Sequence, residues 1–210
     1  MVLRLFRSSP APEAKRRASA DPLLGLARAA KGGDSAATRT LVVSVTPVLL
    51  RAGRGVLGVG HPDVEDTVQE AALGFVQALG EYREDCSVLH YATRIGALTA
   101  LAHRRRLRAR GEGLHQELDL DAPSTCDSPA EALLAAHRRR ILRQLTDELP
   151  QAQTEALLLH CMLGMSVEEV AQTSGAPQNT VKSRLRLAKE ALRARIEADL
   201  ALRELLGVEP

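Results

Sequence analysis

Tryptophan is absent from the 210 residues, and phenylalanine and tyrosine occur twice each. The core must therefore come from Leu, Ala, Val and Ile, a composition that favours helix packing over a β-sandwich. Cysteine is scarce as well: Cys86, Cys126 and Cys161 are odd in number, widely spaced and without a C-x-x-C pair. That spacing argues against a disulfide framework or a four-cysteine zinc site and fits a reducing cytosol. Cys86 and His90 stand four apart, but no further ligand accompanies them, so no metal is expected. No apolar run is read as approaching the ~20 residues that span a bilayer, so no membrane insertion is expected. The chain also lacks a glycine-rich phosphate loop, a nucleophile motif and paired metal ligands. No catalytic residues and no cofactor are expected, and the protein is read as a non-enzyme. Charge of one sign is missing in total, since 28 Lys and Arg against 26 Asp and Glu leave only +2. Basic residues then matter through clustering.

What is present is helix punctuation. Residues 1–20 combine Ala, Pro, Ser and charge, lack an apolar segment of signal-peptide length and read as a disordered lead-in. Asp21-Pro22 opens a helix through Leu23, Leu24, Leu26 and Ala27. Gly32-Gly33 interrupts it, and Asp34 or Ser35 caps a second helix through Leu41, Val45 and Leu49. Pro47 predicts a kink or break in that helix, and Gly53, Gly55, Gly58 and Gly60 predict a loosened chain up to His61-Pro62. Residues 63–79 then place Val64, Val68, Ala71, Ala72, Phe75 and Leu79 on one stripe, with acids in the first turn where the helix dipole favours them. The opposite face carries Asp66, Gln69, Glu70, Gly74 and Gln77. It is a solvated face or a docking surface. A polar loop over 82–88 leads into a helix with Val88, Tyr91, Ala92, Ile95, Leu98 and Ala102 inside. That helix ends in His103 and five arginines within seven residues, Arg104 to Arg110. A helix dipole accounts for one or two cations there, and the cluster reads as a phosphate-binding patch.

Residues 111–127 are acidic and rich in Gly, Pro, Ser and Thr, which marks an interdomain linker. Ser128-Pro129 with Glu131 opens the second half as a capping box, and Leu133, Leu134, His137, Ile141, Leu142 and Leu145 follow at helical spacing. Leu149-Pro150 breaks that helix, and residues 151–162 form the next. Last comes SVEEVAQTSGAPQNTVKSRLRLAKEAL, residues 166–192. Ser166 and Glu169 make a capping box, Gly175 and Pro177 make a tight break, and a second helix begins near Asn179. Val181, Leu185 and Ala188 lie on its inner side, while Lys182, Ser183, Arg184, Arg186 and Lys189 project from the rest. Helix, short glycine turn and helix with a basic outer face is the DNA-reading helix-turn-helix; an ordinary helical hairpin is the plainer reading. The tail from Arg193 to Leu206 is expected to prolong the last helix.

Three stretches carry a family resemblance. LPQAQTEALLLHCMLGMSVEEVAQTSGAPQNTVKSRLRLAKEAL resembles the domain with which bacterial RNA polymerase sigma factors read the minus-thirty-five promoter element. DVEDTVQEAALGFVQAL is similar to their helix that docks on the clamp coiled coil of the polymerase β′ subunit. YREDCSVLHYATRIGALTALAHRRR is similar to the segment that opens and reads the minus-ten element. The order of parts resembles the small two-domain group called extracytoplasmic-function (ECF) sigma factors. The resemblance implies an all-α chain: a region 2-like domain over 21–110, the linker, and a region 4-like helix-turn-helix domain over 128–210.

It also implies partners and sites. Asp63, Asp66, Gln69 and Glu70 would bind core RNA polymerase. Arg83, Tyr91, Arg94, His103, Arg104, Arg105 and Arg106 would serve the minus-ten strand and phosphates. Asn179, Thr180, Lys182, Ser183, Arg184 and Arg186 would serve the minus-thirty-five element. The β′ clamp coiled coil and the β flap of core polymerase, promoter DNA and an anti-sigma factor are the implied partners, and the cytoplasm, with nucleoid association when active, is the implied location. Departures from the family pattern are Tyr91 in place of Trp, Leu98 in place of Asn, Ala102 in place of Asp, and Leu187 in place of Arg. Ala72 and Gly74 stand where a bulky aromatic and an Arg are usual. These departures bear on strand opening and promoter preference, and they leave room for a helix-turn-helix regulator that binds DNA without melting it.

Overall fold

Asp34 sets the register of the first unit. Its carboxylate accepts from the Ala36 and Ala37 amides at 2.8 and 3.0 Å, capping a helix over Ser35–Leu57. The computed structural model describes residues 21–111 and 129–206. The chain divides into two compact units, one over residues 10–115 and the other taking in the rest.

In the first unit, α1 (Leu24–Lys31), α2 (Ser35–Leu57), α3 (Val64–Ala78) and α4 (Val88–Ala109) pack around α2, with a 3₁₀ turn at Leu79–Glu81. Leu41, Val45 and Leu49 of α2 meet Phe75 of α3 and Val88 and Ala92 of α4 in one fully buried cluster. The expected break at Pro47 and the expected loosening at Gly53 and Gly55 do not occur, because α2 runs through all three. Pro47 lies on the exposed side, and buried Val45 and Leu49 hold both flanks in the core. A Cβ at Gly53 would stand 3.5 Å from Val68 Cγ2 and 3.7 Å from Val64 Cγ1, ordinary van der Waals contact, so the crossing of α2 and α3 would accommodate alanine there as well. By length and composition α2 also matches a membrane-crossing segment, contrary to the reading that no such stretch exists. Its buried face makes it the central helix of this unit.

The second unit holds α5 (Pro129–Asp147), α6 (Gln151–Leu157), α7 (Val167–Ser174), α8 (Gln178–Glu197) and α9 (Leu200–Leu206). A π-helical turn over Leu158–Met162 continues α6, and its wider winding buries Leu158, Leu159 and His160 together. His160 Nδ1 lies 2.6 Å from the Met165 carbonyl, which ties that turn to the start of α7. Thr154 Oγ1 donates to the Thr146 carbonyl at 2.9 Å, bracing the turn between α5 and α6. The tail does not extend α8. The helix stops at Glu197, and Asp199 accepts from the Ala201 and Leu202 amides to start α9. Among the described residues every regular element is helical, as composition predicts. Of the expected linker over 111–127 all but Gly111, together with the Ser128 cap, lies outside the described residues.

Candidate nucleic-acid and polymerase interfaces

The helix-turn-helix is built from local bonds. Ser166 Oγ accepts from the Glu169 amide at 3.1 Å, and Glu169 Oε2 accepts from the Ser166 amide at 2.7 Å. Both halves of the expected capping box are therefore made. Gly175 closes α7 with φ of +65°, the left-handed region where a Cβ would be strained. Helix α8 then buries Val181, Leu185, Ala188, Leu192 and Ile196 against α6 and α7. The face turned away carries Asn179, Lys182, Ser183 and Arg186 exposed, with Thr180 and Arg184 half-buried beside them. Arg186 pairs with Glu190 one turn on, at 2.8 Å. Exposed pairs of this kind are weak and exchange readily for another anion. No side chain caps the start of α8, which leaves its first amides directed outward, where a helix end favours phosphate. Leu187 is 43% exposed on the same helix.

In the first unit, α3 turns Val64, Thr67, Ala71 and Phe75 inward and leaves Asp66, Gln69, Glu70 and Gln77 exposed. Leu73, 66% exposed, shares that outer face. The sequence reading missed it, although its position off the apolar stripe was the available signal. Gly74 lies against Ile95 of α4.

The basic end of α4 is divided by helical rotation. Arg104 is only 3% exposed and continues the buried line of Ala97, Ala100, Leu101 and Leu107. It does not belong to an exposed phosphate patch, because at 100° per residue the third and fourth positions after a buried residue return to the core. Arg105, Arg106 and Arg110 are exposed, and Arg108 is half-buried. Two of the predicted DNA-side residues are joined to two predicted docking residues. His103 Nε2 lies 2.8 Å from Asp63 Oδ2, and Arg106 Nη2 lies 3.2 Å from Glu70 Oε1. The hydrogen bond from His103 holds the Asp63 carboxyl below the usual carboxylate range.

Tyr91, expected both on the inner stripe of α4 and at the minus-ten strand, packs on the inner side. Its hydroxyl donates to the Ala78 carbonyl at 2.9 Å, and its ring packs on Phe75 and Tyr82, with centroids at 6.2 and 5.0 Å. Half-buried, bonded and stacked on both sides, the side chain packs within the first unit. Leu98, read as an inner residue, is instead 37% exposed, while Gly96 and Ala97 take the buried positions. Arg94 is half-buried on α4, and Arg83 is exposed in the loop before it.

Comparison with known proteins agrees with this arrangement. The family model for sigma-70 region 2 matches residues 41–110, and that for sigma-70 region 4 matches residues 139–192. The RNA polymerase sigma factor NccH of Alcaligenes xylosoxydans xylosoxydans is 31% identical over 176 residues, covering 82% of this chain and 94% of that protein. The ECF RNA polymerase sigma-E factor of Escherichia coli is 28% identical over 142 residues, 64% of this chain and 74% of its own. Among solved structures, CnrH in complex with the cytosolic domain of CnrY superimposes with a TM-score of 0.54 at 25% identity, covering 83% of this chain and 96% of that one. With both sigma regions matched and a relative of this identity covering most of the chain, the protein belongs to the sigma-70 family of RNA polymerase sigma factors, in the extracytoplasmic-function group.

Proposed function

We propose that the chain is a transcription initiation factor that binds core RNA polymerase and directs it to promoters by reading minus-ten and minus-thirty-five elements. One observation carries this reading: a helix-turn-helix with a basic outer face and a helix with an acidic, polar outer face stand in two units of one chain. Asp66, Gln69 and Glu70, with Leu73 among them, would dock on the β′ clamp coiled coil. Arg83 in its loop and Arg94, Arg105 and Arg106 of α4 would hold the unpaired minus-ten strand and its phosphates. Asn179, Lys182, Ser183, Arg184 and Arg186 would enter the major groove at minus-thirty-five, Arg and Lys contacting guanine edges or phosphates. Residues 111–127 would act as the linker that sets how far apart the two elements lie. The protein would work in the cytoplasm, associating with the nucleoid when active. The solved complex of CnrH with the cytosolic domain of CnrY supports a protein partner, an anti-sigma factor that covers these same surfaces.

Pull-down of core polymerase followed by run-off transcription tests the proposal, and absence of core binding refutes it. A second reading is favoured by the internal bonds of Tyr91 and the exposure of Leu98: a sigma-like regulator that binds duplex DNA without opening it. Permanganate reactivity of promoter thymines in the polymerase complex separates the two, because only the initiation factor leaves them unpaired.

A further inference from the structure

The loop between α3 and α4 is held from the first helix of the unit. Glu84 has φ of +61° and is, among the described residues, the one non-glycine residue in left-handed backbone. Glutamate is uncommon there; glycine or asparagine is the ordinary occupant, and such a residue persists where its surroundings hold it. The holding group is Arg28 of α1, whose Nε and Nη2 donate to the two carboxylate oxygens of Glu84 at 2.9 and 2.7 Å. Lys31 Nζ donates to the Tyr82 carbonyl at 3.2 Å, at the loop's entry. Asp21 accepts from the Val88 amide at 2.6 Å, at its exit, and from the Leu23 amide at 3.0 Å, which anchors that carboxylate to α1. Inside the loop, the Tyr82 hydroxyl donates to the Cys86 carbonyl at 2.5 Å. Entry, middle and exit are thus bonded to residues 21–31, while Arg83 and Asp85, on either side of Glu84, are exposed.

We propose that Arg28 is a positioning residue for minus-ten recognition: through its paired bonds to Glu84, with Lys31 and Asp21 in support, it fixes the loop conformation that presents Arg83 and Asp85 to an unpaired base. This rests on the reading proposed above, in which Arg83 and its loop hold the unpaired minus-ten strand. The pair presents a donor set and an acceptor. Arg83 matches base oxygens and ring nitrogens, and Asp85 accepts from an exocyclic amine such as that of cytosine. Which base fits both depends on the angle between the two side chains, and Glu84's backbone sets that angle. Because the Arg28–Glu84 pair is exposed and bidentate, it shapes a loop more than it stabilises a fold.

The test uses the full chain with core polymerase and run-off transcription from promoters that differ one base at a time across the minus-ten element. Arg28→Gln should reduce the preference for the best base over the next by about threefold, the scale of an exposed pair, with core affinity unchanged. Adding Glu84→Asn to that variant should restore the preference, since asparagine enters left-handed backbone without a clamp. Arg83→Ala serves as the control for the loop itself. If Arg83→Ala alters the preference and Arg28→Gln does not, the positioning role is overturned while the loop's role stands. Loss in Arg28→Gln without recovery in the double variant also overturns it, as a defect unrelated to the Glu84 backbone. If the natural chain neither binds core nor opens promoters, the underlying reading falls, and this inference with it.

Discussion

Lys182 projects from a helix whose opposite side is the buried run of Val181, Leu185 and Ala188. Its removal therefore deletes a contact without opening the core. Lys182→Ala or Arg184→Ala should weaken binding to a minus-thirty-five duplex by about tenfold, the scale of one base or phosphate contact, and leave affinity for core polymerase alone. Asp66→Ala or Gln69→Ala should do the reverse. Fluorescence anisotropy with labelled promoter and with core polymerase measures both, and identical behaviour of the two sets would end the proposed division of labour. The tyrosines offer a second residue-scale check, because the chain has only two. Burial is the main cause that pushes the Tyr82 phenol up to about 12, and burial also raises that of Tyr91. An unfolded tyrosine ionises near ~10. The folded values lie above it, so stability tied to the neutral phenols is full below about pH 10. It is lost as pH rises through the folded values. Tyrosinate absorbance should therefore appear in the native protein only above the pH at which the urea-unfolded chain titrates. Coincident curves would show that the two phenols are not buried in solution.

At the scale of elements, two glycines in helices make opposite predictions. A Cβ on Gly74 would meet only Ile95 Cγ2 at 3.8 Å, an ordinary contact. Gly74→Ala should then stabilise the first unit by about 1 kcal/mol through helix propensity. A Cβ on Gly96 would stand 3.1 Å from Ala52 Cβ and from Leu49 Cδ2, where α4 crosses α2. Ala52 has no rotamer with which to move aside, so overpacking of about 1–3 kcal/mol outweighs the propensity gain, and Gly96→Ala should lower the melting temperature. Ser166→Ala removes one half of the capping box on α7 and should cost about 1 kcal/mol. Differential scanning calorimetry of the three variants orders them, with Gly74→Ala above the natural protein and the other two below.

The same elements show what could be read from the chain and what could not. The α7–α8 turn was legible because its signals are local: a serine, a glutamate three residues on, a glycine in left-handed backbone and a proline. The passage of α2 through Pro47 was not, since local propensity there is overruled by Val45 and Leu49 in the core. The arginine cluster at the end of α4 was visible as a composition. Its division into buried Arg104 and exposed Arg105 and Arg106 depends on helix phase against α2 and α3. Tyr91 presented the same difficulty: an aromatic can stack on a base or on Phe75 and Tyr82, and only the packing decides.

For the whole molecule, the proposed interfaces on the two units would make promoter binding a joint event. If both units contact phosphates as proposed, counterions are released from each, and holoenzyme binding to promoter DNA should weaken steeply with salt. Each phosphate-contacting cation removed should flatten the slope of log K against log salt by about 1. Lys182→Ala, Arg105→Ala and the double variant, measured from low to moderate salt, check this. Additive slopes indicate that both units touch DNA in the same complex, and an unchanged slope for either excludes that residue from the phosphate set.

The sequence by itself determined an all-helical chain in two parts, the boundaries of α3, α4 and α7 within a residue or two, the start of α8, the family and the opposite polarity of two helix faces. These follow from short-range physics: apolar spacing, caps, and a composition poor in aromatics that favours helix packing over β-structure. The tertiary structure decided which members of each polar cluster face outward, that His103 and Arg106 are bonded to Asp63 and Glu70, and that Asp21 and Arg28 hold a loop some sixty residues downstream. Those are contacts between residues far apart in the chain. They depend on the packing of one helix against another, and no local pattern encodes that packing.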